Sequence, residues 1–381
     1  MKKIIRVTTV PISLSKLLQG QLRFMSQYYN VIGISGKGGE TLDQVSKQEK
    51  VRVIPIEMTR KITPVRDLKA VYALYKVFKK EKPDIVHSHT PKAGTLSMLA
   101  AKLAGVPHRL HTVAGLPLLE ATGKKRKLLD TVEKATYKCA TKIYPNSSGL
   151  HQIILQNKYT SPQKLKVIAN GSSNGIDTSF FDPDLYSESD NLKFSNSLSI
   201  ATSDKVIIYV GRLVKDKGIE ELISAFKKIN DIRNDVKLLL VGTYEKDLDP
   251  LSKETEEEIN TNPNIVPVGW KDDVRPYFAI SDILAFPSYR EGFPNVVMQA
   301  ASMGLASIVT NINGCNEIIT NGVNGKIIPV KDAEKLFENI KTLVENDDLR
   351  ITMASKARDS ITSRYERKVV WNAILEEYRS L

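Results

Sequence analysis

The stretch Ser288-Tyr289-Arg290-Glu291-Gly292-Phe293-Pro294-Asn295-Val296-Val297-Met298-Gln299-Ala300 puts one carboxylate, Glu291, between an apolar run and an amphipathic segment. The run Asp282-Ile283-Leu284-Ala285-Phe286 reads as a buried strand that Pro287-Ser288 stops. Asn295 is expected to cap a helix whose apolar face is Val296, Val297, Ala300 and Met303. Glu291 then stands at the carboxyl end of a strand, beside the free N–H groups of a helix start. In a parallel α/β sheet that edge binds ligands, and a helix N-terminus accepts phosphate. Gly292 lets a ligand come close to the backbone. A strand–loop–helix joint with a solvated glutamate has the same local pattern, so the weight falls on a second site upstream.

That site is Gly211-Arg212-Leu213-Val214-Lys215-Asp216-Lys217-Gly218, between the strand-like Val206–Val210 and a helix beginning near Gly218. Two cations, Arg212 and Lys217, sit at a strand-to-helix turn with two glycines able to hold an unusual backbone. Such a turn is suited to a diphosphate. It is not a P-loop, because GxxxxGK[ST] is absent.

The elements that must position these residues alternate between strand and helix. Strand-like runs fall near Lys3–Val10, Val31–Ser35, Val51–Ile56, Asp84–His89, Arg109–Val113, Lys142–Pro145 and Lys166–Ala169, with helical patterns such as Asp67–Glu81 and Thr95–Ala104 between them. After a Ser-, Asn- and Asp-rich stretch, Asp182–Asp204, the rhythm restarts at Lys205. The fold class expected is α/β: two doubly wound parallel-sheet domains, 1–182 and 200–365, joined by a linker, with a cleft between them as the ligand's place.

Composition narrows the function. The chain has 381 residues, 41% hydrophobic and 26% charged, enough for two domains. Cys139 and Cys315 are far apart and outside any metal spacing, as in a reduced cytoplasmic protein. Neither a signal peptide nor a membrane-spanning run is expected. Charge is uneven: residues 1–180 hold 30 Lys and Arg against 11 Asp and Glu, a net +19, and residues 181–381 hold 25 against 32, a net −7. The first half is therefore expected to meet an anionic surface. Nucleic acid is set aside, since the basic residues are scattered and no recognition motif appears. A dinucleotide oxidoreductase needs GxGxxG after the first strand, where this chain has Thr8-Thr9-Val10-Pro11-Ile12-Ser13. The triplets Asp182-Pro183-Asp184 and Asp247-Leu248-Asp249 read as solvated loops rather than metal sites.

Together these residues resemble family four of the retaining glycosyltransferases. Gly211-Arg212 with Lys217-Gly218 looks like its diphosphate-binding element, and Glu291-Gly292-Phe293-Pro294-Asn295 like the start of its Glu-x7-Glu motif. Asn313-Gly314-Cys315-Asn316-Glu317-Ile318 looks like the stretch that follows. Val86-His87-Ser88-His89-Thr90-Pro91-Lys92-Ala93-Gly94 and Ala114-Gly115-Leu116-Pro117 resemble segments of capsule and O-antigen members. The resemblance implies two Rossmann-like domains of the glycosyltransferase B type, with a C-terminal helix (about 366–381) crossing back to the first. It implies a nucleotide-diphosphate sugar donor, usually a uridine nucleotide, held by Arg212, Lys217, Glu291, Gly292, Phe293, Pro294, Asn295 and Gln299. Arg212 and Lys217 would stabilise the leaving diphosphate, and Glu291 would hold the sugar's hydroxyls. Neither cofactor nor metal is implied.

The chain departs from the family twice. Gln299 replaces the second glutamate, which bonds the donor's ribose; its amide can still accept and donate. Ala114 stands where many relatives carry a histidine that contacts donor sugar or acceptor, and His111 is a candidate substitute. These departures favour one rival, a non-catalytic sugar- or nucleotide-binding protein. His89 and Lys92 are the other acceptor-side candidates. The implied acceptor is a polyprenyl-diphosphate-linked saccharide at the inner face of the cell membrane. There Lys124-Lys125-Arg126-Lys127 opens a basic, amphipathic helix suited to a peripheral anionic contact.

Overall fold

The structure is a computed structural model that describes residues 1–245 and 249–381. The first sheet contains β1 (Lys3–Val7), β2 (Asn30–Ser35), β3 (Arg52–Pro55), β4 (Ile85–Ser88), β5 (His108–Val113) and β6 (Lys142–Pro145). All pairings are parallel and the order is β3-β2-β1-β4-β5-β6. The inner strands β1 and β4 are buried on both faces, so they read as unbroken apolar runs, while edge strand β3 is half exposed. The helices Pro64–Glu81 and Pro91–Ala104 cover one face with Val71, Leu74, Phe78, Leu96 and Met98. A proline opens each helix, and Gly105 in left-handed backbone (φ 78°) closes the second. The helices Pro11–Leu17 and Arg367–Arg379 cover the other face with Leu14, Val370, Ile374 and Tyr378.

The second sheet contains β7 (Lys205–Val210), β8 (Val236–Val241), β9 (Ile265–Gly269), β10 (Ile283–Phe286), β11 (Ala306–Thr310) and β12 (Gly325–Ile328). Its order, β12-β11-β10-β7-β8-β9, is again parallel throughout. Counted within each sheet, both follow the sequence third, second, first, fourth, fifth, sixth. The order therefore reverses between β1 and β4 in one sheet and between β7 and β10 in the other. Beyond the carboxyl ends of that central pair lies the ligand crevice of a doubly wound sheet.

Two compact units divide the chain, one of Met1–Gly175 with Arg367–Leu381, the other of Ile176–Glu366. The boundary thus falls before the stretch expected as a linker. Residues 182–204 fold on the second unit and contain the helix Glu188–Ser197, packed against the helix Arg275–Ala279. Its start was readable in Ser187, which caps Asp190 N–H, and in Glu188 and Asp190 of the first turn. Because the helix buries none of its residues, it lacks the apolar stripe that would have revealed it. Lys166–Ala169 is also not a strand; only the adjacent Leu165 makes a bridge, to Ile143. Asp182 of the first acidic triplet accepts from Asp184 N–H and pairs with Arg358 at 2.9 Å, a structural turn. Asp247 and Leu248 of the second lie outside the described residues, and Asp249 accepts from Asp216 N–H at 2.7 Å.

Candidate active site

The two stretches singled out in the sequence meet at the order reversal of the second sheet, one after β7 and one after β10. Arg212 follows Gly211 and is held where it lies by one backbone and one side-chain bond: Leu213 N–H reaches Thr243 O, and Tyr209 Oη donates to Arg212 O, both at 2.9 Å. A tight turn, Lys215–Lys217, leads to Gly218 (φ 71°), where the helix Ile219–Asn230 starts. A Cβ on Gly218 would lie 2.1 Å from the carbonyl oxygen of Pro287. Gly218 thus meets a steric need as well as a backbone one: the β7 turn rests directly on the end of β10.

That contact brings Lys217 to Glu291, Nζ to Oε1 at 2.5 Å, with both side chains largely buried. Ser288, fully buried, donates to the same Oε1 at 3.2 Å. Glu291 Oε2 has no partner among the described residues. Arg212 is more open and pairs with Glu245 at 2.6 Å. Asp216 faces both loops, accepting from Arg290 at 2.8 Å while its carbonyl accepts from Tyr289 N–H at 2.9 Å. Tyr289 Oη donates to Glu221 at 2.6 Å, fastening the loop to the first turn of the helix Ile219–Asn230.

Asn295 does not cap the next helix. It is the first residue of the helix Asn295–Ser302, and Pro294 occupies the cap position with no side-chain bond to the N–H groups. Proline fixes the entry backbone but offers no acceptor, so the helix start keeps free donors. Phe293 is buried against Tyr365, Gly292 is half-buried, and Gln299 is half-exposed on the second turn. Cys315 is buried, and burial pushes its thiol well up from the ordinary range, which keeps it unreactive.

The first-unit candidates separate. His89 follows β4 directly and is buried, with Nε2 receiving Arg6 Nε–H at 2.9 Å. Lys92 is tied to Asp67 at 2.5 Å. His111 lies in the core, bonded to Ser88 Oγ at 2.8 Å and pressed on Gly94, where a Cβ would sit 2.3 Å from its ring. Ala114 and Gly115 are half-buried beyond β5. Sequence reasoning missed Arg6, Glu245 and Asp216. The first carries no motif, and the other two act through partners distant in the chain.

All five histidines belong to the first unit. Burial holds His87 and His89 well below the ordinary imidazole range and brings His111 down to about 4. The unfolded chain takes up these protons as pH falls below about 6.5, and the folded unit does not. Its stability is full above that pH and declines from there toward about 4, at up to ~1.4 kcal/mol per histidine per pH unit. The fluorescence of Trp371, in a Trp270→Phe background, reads this unit. Its urea midpoint should fall from neutral to mildly acid pH, and an unchanged midpoint would show that the histidines are not held neutral.

The geometry defines a class: a protein of two doubly wound units with a turn carrying two cations at one order reversal. Residues 190–360 match the family "Glycosyl transferases group 1", and residues 17–147 match "Glycosyl transferase 4-like". The capsular polysaccharide biosynthesis glycosyltransferase CapM of Staphylococcus aureus is 33% identical over 380 residues, covering 100% of this chain and 97% of that protein. An Escherichia coli enzyme named UDP-Gal:α-D-GlcNAc-diphosphoundecaprenol α-1,3-galactosyltransferase is 29% identical, covering 94% of this chain and 93% of its own. The crystal structure of Anabaena HepE with UDP superposes with a TM-score of 0.82 at 20% identity, both chains covered in full. Lipopolysaccharide glycosyltransferase WaaG gives 0.73 at 15% identity, with 97% of this chain and 98% of that one covered. The chain belongs to the group 1 glycosyltransferases, has their glycosyltransferase B fold, and is an enzyme of glycosyl transfer.

Proposed function

We infer that this enzyme is a retaining hexosyltransferase of capsule or O-antigen synthesis, taking a sugar from a uridine-diphosphate donor. The observation that carries this reading is the pair Arg212 and Lys217 at the order reversal, beside the uncapped start of the helix Asn295–Ser302. Two cations and a helix start at adjacent strand ends suit a diphosphate whose charge develops as it leaves. Glu291 Oε2, without a partner among the described residues, would accept from a donor-sugar hydroxyl, and Gln299 would bond the ribose. A double displacement needs two carboxylates flanking the bond, and the sequence offers no convincing partner for Glu291. Front-face attack follows, with the leaving diphosphate taking the acceptor's proton. A trapped glycosyl-enzyme intermediate would overturn that route.

The acceptor in this reading is a saccharide on polyprenyl diphosphate, as the names of relatives describe for their own reactions. It is reached by peripheral contact of the first unit with an anionic membrane. Besides Lys124–Lys127, support comes from the helix Pro64–Glu81, whose outer face exposes Val65, Leu68 and Tyr72 just after exposed Ile62. Residues 60–80 hold seven Lys and Arg against one acid, Asp67, already bound to Lys92. Among the described residues no helix is long and apolar enough to cross a membrane.

Thermal stability against a panel of nucleoside diphosphates, without added metal, tests the donor. A ligand at one hundred times its Kd stabilises the folded form by about 2.7 kcal/mol. A shift with UDP that is lost in Arg212→Ala is expected. No shift with UDP, or one with GDP or ADP instead, would reject the uridine donor.

A further inference from the structure

Arg6, in the middle of the first sheet, is fully buried. A buried guanidinium ordinarily sits against a carboxylate, because a charge taken from water costs heavily unless it is paired. Among the described residues none pairs with Arg6. Its Nε donates to His89 Nε2 at 2.9 Å, its Nη2 donates to Gln21 Oε1, and its Nη1 has no acceptor among the described residues. A guanidinium can only donate, so His89 Nε2 must accept. The neutral ring then carries its proton on Nδ1, a tautomer assigned from this network. That Nδ1–H is buried and also lacks a partner.

Two more orphaned atoms lie nearby. His89, Asn146 and Ser173 line one small cavity of about 10 Å³, beyond the carboxyl ends of β4 and β6. Asn146 Oδ1 and Ser173 Oγ are buried there without partners. The wall is held in place, since Gln21, which takes the Arg6 bond, donates through Nε2 to Ser173 O at 3.1 Å and to Asn174 Oδ1 at 2.9 Å. The space admits one oxygen atom. A water there would pair the polar atoms but leave the charge of Arg6 offset by no anion, only by the face of the Tyr378 ring 5.9 Å away. An anionic oxygen would accept from His89 Nδ1–H and Ser173 Oγ–H and offset that charge as well. The one-oxygen space leaves Asn146 Oδ1, itself an acceptor, outside that bond.

We propose that this cavity is an oxyanion seat of the first unit: His89, polarised by Arg6, donates through Nδ1–H to an anionic oxygen on the sugar acceptor. Arg6 is the positioning residue and His89 the binding residue. The shared chemistry is a single oxyanion, which the acceptor's linking phosphate or the carboxylate of an acidic sugar could supply. That the ligand is a saccharide acceptor rests on the function proposed above.

Imidazole nitrogen resonances of the full chain, with His89 assigned through His89→Gln, test it. The probes are N-acetylglucosamine 1-phosphate, glucuronate and uncharged N-acetylglucosamine at millimolar concentration. His89 should show the Nδ1–H tautomer near neutral pH. One of the two anions should shift its Nδ1, thereby naming the source, and the uncharged sugar should not. Arg6→Lys, which keeps the charge and loses the Nε donor, should weaken that binding roughly tenfold. If Arg6→Lys does not fold, Ser173→Ala on the cavity wall should weaken it instead. An Nε2–H tautomer, or no shift with either anion, would mean a water-filled cavity and overturn the proposal. The readout uses no nucleotide and no transfer, so its failure and a failure of the nucleotide panel are separate results.

Discussion

Lys217→Ala should slow glycosyl transfer by roughly 10²–10³-fold, and Arg212→Ala should slow it less. The order follows from burial. Lys217 is 14% exposed and Arg212 41%, so solvent screens Arg212 more strongly against a charge developing on a diphosphate. Both cations begin from an acid partner, Glu291 for Lys217 and Glu245 for Arg212. A diphosphate must compete with those carboxylates, and it gains most from the cation whose surroundings exclude water. Lys217→Ala also strands the charge of Glu291 beside buried Ser288, so part of its effect passes through Glu291. The double variant Lys217→Ala/Glu291→Gln should therefore fall short of the product of the single effects, as expected of groups acting as a unit. The measurement is kcat with the donor found in the nucleotide panel, alongside a melting curve to confirm folding. Equal losses at the two cations, or an unchanged kcat in Lys217→Ala, would remove the buried ion pair from the chemistry.

What the sequence made legible here was what rests on local pattern. Strands such as Ile283–Phe286 are buried on both faces, and a short apolar run closed by Pro287-Ser288 is distinctive enough to place. With the alternation of strand and helix, that was sufficient for the fold class and for siting Arg212, Lys217 and Glu291 at strand ends. Contacts between residues far apart in the chain were not legible. Glu245 meets Arg212 only because β7 and β8 are neighbours, and nothing near Glu245 announces the pairing. Nothing around Arg6 in the sequence marks it as buried, yet it is 0% exposed in β1 with its guanidinium over Tyr378 of the helix Arg367–Arg379. The histidines show the same divide. His89 and His111 look alike in the sequence, yet one adjoins a cavity and the other fills the space that Gly94 leaves open.

Val65→Asp/Leu68→Asp should detach the enzyme from anionic vesicles, lowering partition by at least about a hundredfold. Ile62, Val65, Leu68 and Tyr72 are 59%, 72%, 70% and 57% exposed, an arrangement that costs free energy in water unless another phase covers it. Fully burying side chains of this size stabilises by about 1.5–3 kcal/mol each, so even half immersion of four provides several kcal/mol. The lysines on the same face, Lys69, Lys76 and Lys79, add about 1 kcal/mol apiece at an anionic surface. Lys76 already lies over the ring of Tyr72 at 4.4 Å, and its long stem lets the ammonium reach headgroups while the ring sinks. Two aspartates would remove apolar contact and add repulsion, yet should leave folding intact because both side chains point outward. The Lys124–Lys127 segment contributes mainly charge, so neutralising it should weaken binding at low salt and matter little at high salt. Vesicle sedimentation over a range of salt separates the two contributions. Wild-type sedimentation of the Asp variant would clear this helix of the role. Loss of self-association without loss of vesicle binding would make the face a contact between copies of the chain.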